Sequence, residues 1–79
     1  MSGDETQRAL LLAAHRAGWS VSFTGGPTTR FGVFREGDPR PAAEVWWFPD
    51  GTASAFISGP GGLVAVTVPD VAAFIAEGP

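Results

Sequence analysis

The 79 residues contain no cysteine, lysine, asparagine or tyrosine, and only one histidine. Each absence excludes something. Without cysteine there is no disulfide to staple a small fold and no thiolate metal site. With His15 as the only imidazole, a metal would depend on carboxylates, and no acidic pair has ligand spacing. Without lysine a phosphate loop lacks its usual cation. No apolar run is long enough to span a bilayer. The start, MSGDETQRALLLAAHR, is acidic and has no cleavage site, so a signal peptide is not expected and the location reads as cytoplasmic. A net charge of −3 favours solubility and argues against a broad nucleic-acid footprint. The lack of residues with AT-rich codons, beside abundant Ala, Gly, Pro and Arg, points to a GC-rich genome, bacterial or phage.

What is present is a globular composition, 44% hydrophobic against 16% charged. The length predicts a single domain over residues 1–79. A chain this short buries only about 60–65% of its unfolded surface, so its core is thin. That core must hold itself or borrow surface from a second copy. Three Trp and six Phe help, because aromatic rings bury the most area per residue. Eleven Gly and seven Pro fall mostly between periodic segments and read as turns.

Asp4 to Gly18 reads as a helix. Asp4, Glu5 and Thr6 suit its positive end, Leu10, Leu11, Ala14 and Ala17 form one stripe, and Gly18 is a stop. Trp19 to Phe23 alternates strictly, as a half-buried strand does. Further strands are expected over Phe31 to Arg35, Glu44 to Phe48, Thr52 to Ser58 and Leu63 to Val68. The last is followed by a short helix begun by Pro69 and Asp70 and carrying Val71, Phe74 and Ile75 on one face. The fold class is therefore α+β: an N-terminal helix, an antiparallel meander of about five strands and a short C-terminal helix, with the helices on one face.

The central hairpin, EVWWFPDGTASAFIS, allows two registers. A two-residue loop at Asp50-Gly51 would put Glu44, Trp46 and Phe48 on one face with Ala53, Ala55 and Ile57. A three-residue loop, with Pro49-Asp50 in a type I turn and Gly51 at the left-handed position, separates Val45, Trp47, Ala53, Ala55 and Ile57 from Glu44, Trp46, Phe48, Thr52, Ser54, Phe56 and Ser58. The second is favoured. It makes one face wholly apolar, whereas the first buries a carboxylate. Val64, Val66 and Val68 would extend the apolar face, and Trp47 would be buried.

Trp46, Phe48 and Phe56 then point away from the helices, joined by Phe34 if the second strand lies alongside. Such rings present roughly a few hundred Å² of apolar surface, the size at which a patch on a monomer acquires meaning. Three readings follow: a loop such as Gly37 to Ala43 covers the rings, a second copy packs sheet to sheet, or a foreign protein binds there.

Conventional chemistry is not signalled. His15, between Ala14 and Arg16 on a helix, reads as a surface residue. No G-x-S-x-G or other nucleophile context occurs. Gly25-Gly26-Pro27-Thr28-Thr29-Arg30 joins two strands rather than opening a helix, so it reads as a hairpin loop. Arg30, Arg35 and Arg40 near exposed rings suggest a single-stranded nucleic-acid platform as an alternative. The leading expectation is a non-enzymatic interaction module of the inhibitor or accessory type. It has no cofactor, metal or membrane, and it works through Trp46, Phe48, Phe56 and Phe34 on a partner or as a homodimer.

Overall fold

The computed structural model describes residues 2–79, and side chains from Asp4 onward. Its elements are α1 (Ser2–Ala17), β1 (Ser20–Thr24), β2 (Thr29–Phe34), β3 (Ala43–Trp47), β4 (Ala53–Gly59), β5 (Gly62–Val66) and α2 (Val68–Glu77). The strands form one antiparallel sheet in chain order, and both helices lie on the same side of it. The expected helix, five-strand meander and helix are all present; their ends move by one or two residues.

Local chemistry explains the boundaries. In α1, Asp4 and Glu5 stand in the first turn and His15 and Arg16 in the last, matching the helix dipole. Gly18 ends it with φ +94°. Its N–H donates to the His15 carbonyl at 3.2 Å and that of Trp19 to Ala14 at 3.0 Å, the paired closure of a Schellman motif. This closure takes Trp19 out of β1, which starts at Ser20 rather than at Trp19. In α2, the Thr67 hydroxyl accepts from the Asp70 N–H at 3.1 Å, and the Asp70 carboxylate accepts from the Thr67 N–H at 3.0 Å, a capping box.

The Thr67 backbone and hydroxyl bonds hold the Asp70 carboxyl below the ordinary aspartate value. The Thr52 hydroxyl and then its N–H do the same for Asp50. Since the folded values are depressed, the stability these carboxylates add is fully present above the ordinary aspartate range. It is lost as pH falls through their lowered folded values. An acid titration of the urea midpoint is expected to fall in that window, and Asp70→Asn is expected to flatten the fall; an unchanged slope in the variant would contradict the cap.

The core gathers Phe31, Val33, Ala43, Val45 and Ala55 from the sheet, with Leu10, Ala14, Trp19, Val71 and Ile75 from or beside the helices. All five sheet residues share one face by register. The α1 stripe is as expected: Leu10 and Ala14 are buried, Leu11 and Ala17 half-buried, and Arg8, Leu12 and Arg16 exposed. Two expectations need correction. Trp47 shares the core face but is only half-buried, because it stands at the end of β3 between Thr29 and Ala53 and packs on the rim of the core. Val64 is on the core face yet 53% exposed. Helix α2 packs mainly on β3 and β4, and α1 on β1, so residues 62–65 of β5 stay exposed while Val66 at its end packs against the core.

Candidate functional site

The turn after β3 decides which rings face outward. Phe48 N–H donates to the Thr52 carbonyl at 2.9 Å, and Gly51 N–H donates to the Phe48 carbonyl at 3.0 Å. Gly51 has φ +90°, a conformation that only glycine adopts cheaply. The Asp50 carboxylate closes the loop, accepting from Thr52 N–H at 2.9 Å and from its hydroxyl at 2.7 Å. Pro49-Asp50-Gly51 is therefore a three-residue loop. It pairs Trp46 with Ser54, Val45 with Ala55 and Glu44 with Phe56.

The face opposite the helices consequently carries Phe34, Glu44, Trp46, Phe48 and Phe56, together with Arg30 from β2, which lies directly across from Trp46. All four rings are half-buried. Trp46 organises the group. The Arg30 guanidinium carbon sits over its ring at 4.4 Å, a cation–π contact. Its indole N–H donates to Glu44 Oε1 at 2.9 Å. Phe48 tilts against it at 6.4 Å between centroids. Phe34 instead lies down over Gly32, where an added Cβ would come 3.3 Å from its Cε1. Glycine at this strand position thus seats a ring on the sheet surface. Phe34 and Phe56 make no ring pair with Trp46 or Phe48, so the patch is one tilted pair flanked by two separate rings. A cleft of about 170 Å³ opens on this face, with Gly32, Phe34, Arg30, Glu44 and Trp46 among its lining and the Ser22 and Thr24 hydroxyls beside them.

The three arginines are not brought together. Arg35 turns towards the helical side, over Trp19 at 5.3 Å and Phe74 at 5.8 Å, and its Nε donates to the Pro79 carbonyl at 3.1 Å. Arg40 stays in the loop after β2, paired loosely with Asp38 at 3.7 Å. That loop bonds to itself and to β2 and β4: Asp38 N–H to Arg35, Ala42 N–H to Val33, and Ser58 N–H to Ala42.

Two features were not anticipated from the sequence. One is Glu44, which is the acceptor for Trp46. The i, i+2 spacing of Glu44 and Trp46 on one strand face is the signal that could have revealed it. The other is the stacking of Arg30, which needs the β2–β3 register, and the irregular connection between those strands conceals it.

Elsewhere, an almost wholly apolar groove of about 540 Å³ runs between the helices past Ala9, Leu10, Ala13, Val68 and Ala72. His15 is exposed on α1. Among the described residues no group of three His, Cys, Asp or Glu could hold a metal ion, and no helix is long and apolar enough to cross a membrane. Comparison with family models, with curated proteins and with solved structures finds no match.

Proposed function

We propose that this chain is a small non-enzymatic interaction module whose contact surface is the sheet face opposite the helices, centred on Trp46 and flanked by Phe34, Phe48 and Phe56. The observation that carries the reading is that both helices pack on the other face, leaving four half-buried rings on a surface otherwise made largely of Ser, Thr and Ala. Trp46 and Phe48 are held by each other, Trp46 also by Arg30 and Glu44, and Phe34 is seated on Gly32. Binding would therefore lose little side-chain entropy, which is what makes aromatic anchors effective.

The single-stranded nucleic-acid alternative has less support. Only Arg30 stands with the rings, and it already occupies a face of Trp46 on which a base would stack.

The test is a Phe48→Ser/Phe56→Ser double variant, first shown to be folded by circular dichroism. It is expected to lose whatever association the parent shows by light scattering or affinity capture. A folded double variant with every association unchanged overturns the proposal, and salt-dependent Trp quenching by an oligonucleotide would move it to the nucleic-acid alternative.

A further inference from the structure

We infer that the occupant of this face is a second copy of the chain, packed about a two-fold axis so that Arg30 of each copy meets Glu44 of the other; this rests on the interaction-face reading above.

Charge is sparse on this face. The chain has five arginines and eight acidic residues, yet its five strands hold only Arg30 and Glu44. A sheet face left to solvent normally gathers charged side chains, whereas the centre of a protein interface is depleted of them. This face has one cation and one anion among rings, hydroxyls, small residues and the exposed Leu63.

Their placement is the second point. Arg30 pairs across the strands with Trp46, and Glu44 with Gly32, so the two charges occupy opposite corners of one β2–β3 square. They form no ion pair with each other within 4 Å. Both engage the same indole instead, Arg30 its face and Glu44 its N–H. The guanidinium N–H groups make no hydrogen bond to the chain, and the second Glu44 oxygen accepts none.

Such an arrangement is self-complementary. A two-fold axis lying between two facing sheets and bisecting the Arg30–Glu44 line superposes each cation on the opposite anion, twice over. A foreign protein would need an acid and a base at the matching spacing; a second copy carries them by construction, and the face has no other charge to oppose it.

Area sets the strength. Strands about 4.8 Å apart rising about 3.3 Å per residue give a face of roughly 400 Å². Two copies then bury about 800 Å² in total, half the ~1,600 Å² of a standard interface. The dimer is accordingly a weak one, dissociating in the micromolar range on dilution.

The experiment is a dilution series by sedimentation and light scattering on the parent, Arg30→Glu, Glu44→Arg and an equimolar mixture of the two variants. The parent is expected to pass from dimer to monomer on dilution, more readily at high salt. Each reversal alone should weaken association by at least ~10-fold, and the mixture should restore it, since every contact is then again between opposite charges. A parent that is monomeric throughout overturns the second copy, leaving the face to the capture test above. A dimer indifferent to salt and to both reversals, yet lost in Phe48→Ser/Phe56→Ser, overturns the charge pairing while the interaction face stands. A dimer indifferent to those changes but lost in Val64→Lys belongs to the β5 edge, and both readings then fall. The salt series needs no variant, so a reversal that fails to fold does not remove the test.

Discussion

Trp19→Ala is expected to destabilise the domain by about 3–5 kcal/mol, the usual cost of truncating a buried aromatic to alanine. A chain of this size has about 4–12 kcal/mol in all, so the variant should sit at the margin of folding. The reason is position. Trp19 is 4% exposed and lies where α1 ends, β1 begins and α2 passes over the sheet. Its indole N–H donates to the Ile75 carbonyl at 2.9 Å, its ring packs on Phe74 at 5.4 Å, and Arg35 covers it from outside. One side chain therefore joins both helices to the sheet. Trp19→Phe keeps most of the ring and loses the N–H. It is expected to cost only about 1 kcal/mol, because the Ile75 carbonyl still accepts from Gly78 N–H at 3.0 Å. Urea unfolding followed by far-ultraviolet circular dichroism measures both; a loss under ~1 kcal/mol for Trp19→Ala would remove this residue from the centre of the core.

Trp19 also shows what the sequence makes legible. Strict alternation over Trp19, Val21 and Phe23 announces a strand with one apolar face, and that strand exists. Alternation does not reveal that Trp19 itself is spent on closing the helix. That depends on the αL conformation of Gly18, a feature of the helix end rather than of the strand. Similarly, the apolar positions of β5 say which face Val64 occupies but not whether a helix reaches it. Periodicity is local, whereas coverage depends on the length and placement of two helices far apart in sequence. Phe23 at 42% exposed and Val64 at 53% exposed, on the two edge strands, show the same limit.

The candidate site was legible to the extent that tight turns define it. Pro49-Asp50-Gly51 and Gly59-Pro60-Gly61-Gly62 are short connections whose residue types restrict the backbone, so the faces of β3, β4 and β5 follow from them. The connection between β2 and β3 has no such restriction. Its register, which sets Arg30 beside Trp46, emerges only in three dimensions. Grouping Arg30, Arg35 and Arg40 by proximity in sequence fails for the same reason. Arg30 lies within β2 on the outer face, Arg35 follows its end and turns back over Trp19, and Arg40 sits in the loop.

The turn that sorts the rings should also be the place where the fold is most easily broken without touching the core. Deleting Thr52 while keeping Pro49-Asp50-Gly51 brings Ala53 opposite Phe48 and demands the other register, because a two-residue Pro-Asp turn would need a positive φ that proline cannot adopt. The β3 strand is held on its far side by β2, with Phe31 opposite Val45, so the slip must fall on β4. Every β4 side chain then changes face. Ser54, Phe56 and Ser58 would turn towards the helices, and Ala55 and Ile57 towards solvent. Phe56 would enter the buried site of Ala55, an overpacking of about 1–3 kcal/mol; Ser58 would set an unpartnered hydroxyl where half-buried Ile57 stands, about 1–2 kcal/mol; and Ile57 would lose its partial burial, about 1 kcal/mol more. The expected penalty is thus about 4 kcal/mol, enough to unfold much of the population at 25 °C. Gly51→Ala keeps the register and should cost only about 1–2 kcal/mol, the strain of a side chain in the left-handed region. Thermal and urea unfolding of the two variants make the comparison. If the Thr52 deletion were as stable as Gly51→Ala, the three-residue loop would not be what holds Trp46, Phe48 and Phe56 outward. A β-bulge in β3 would then be absorbing the lost residue.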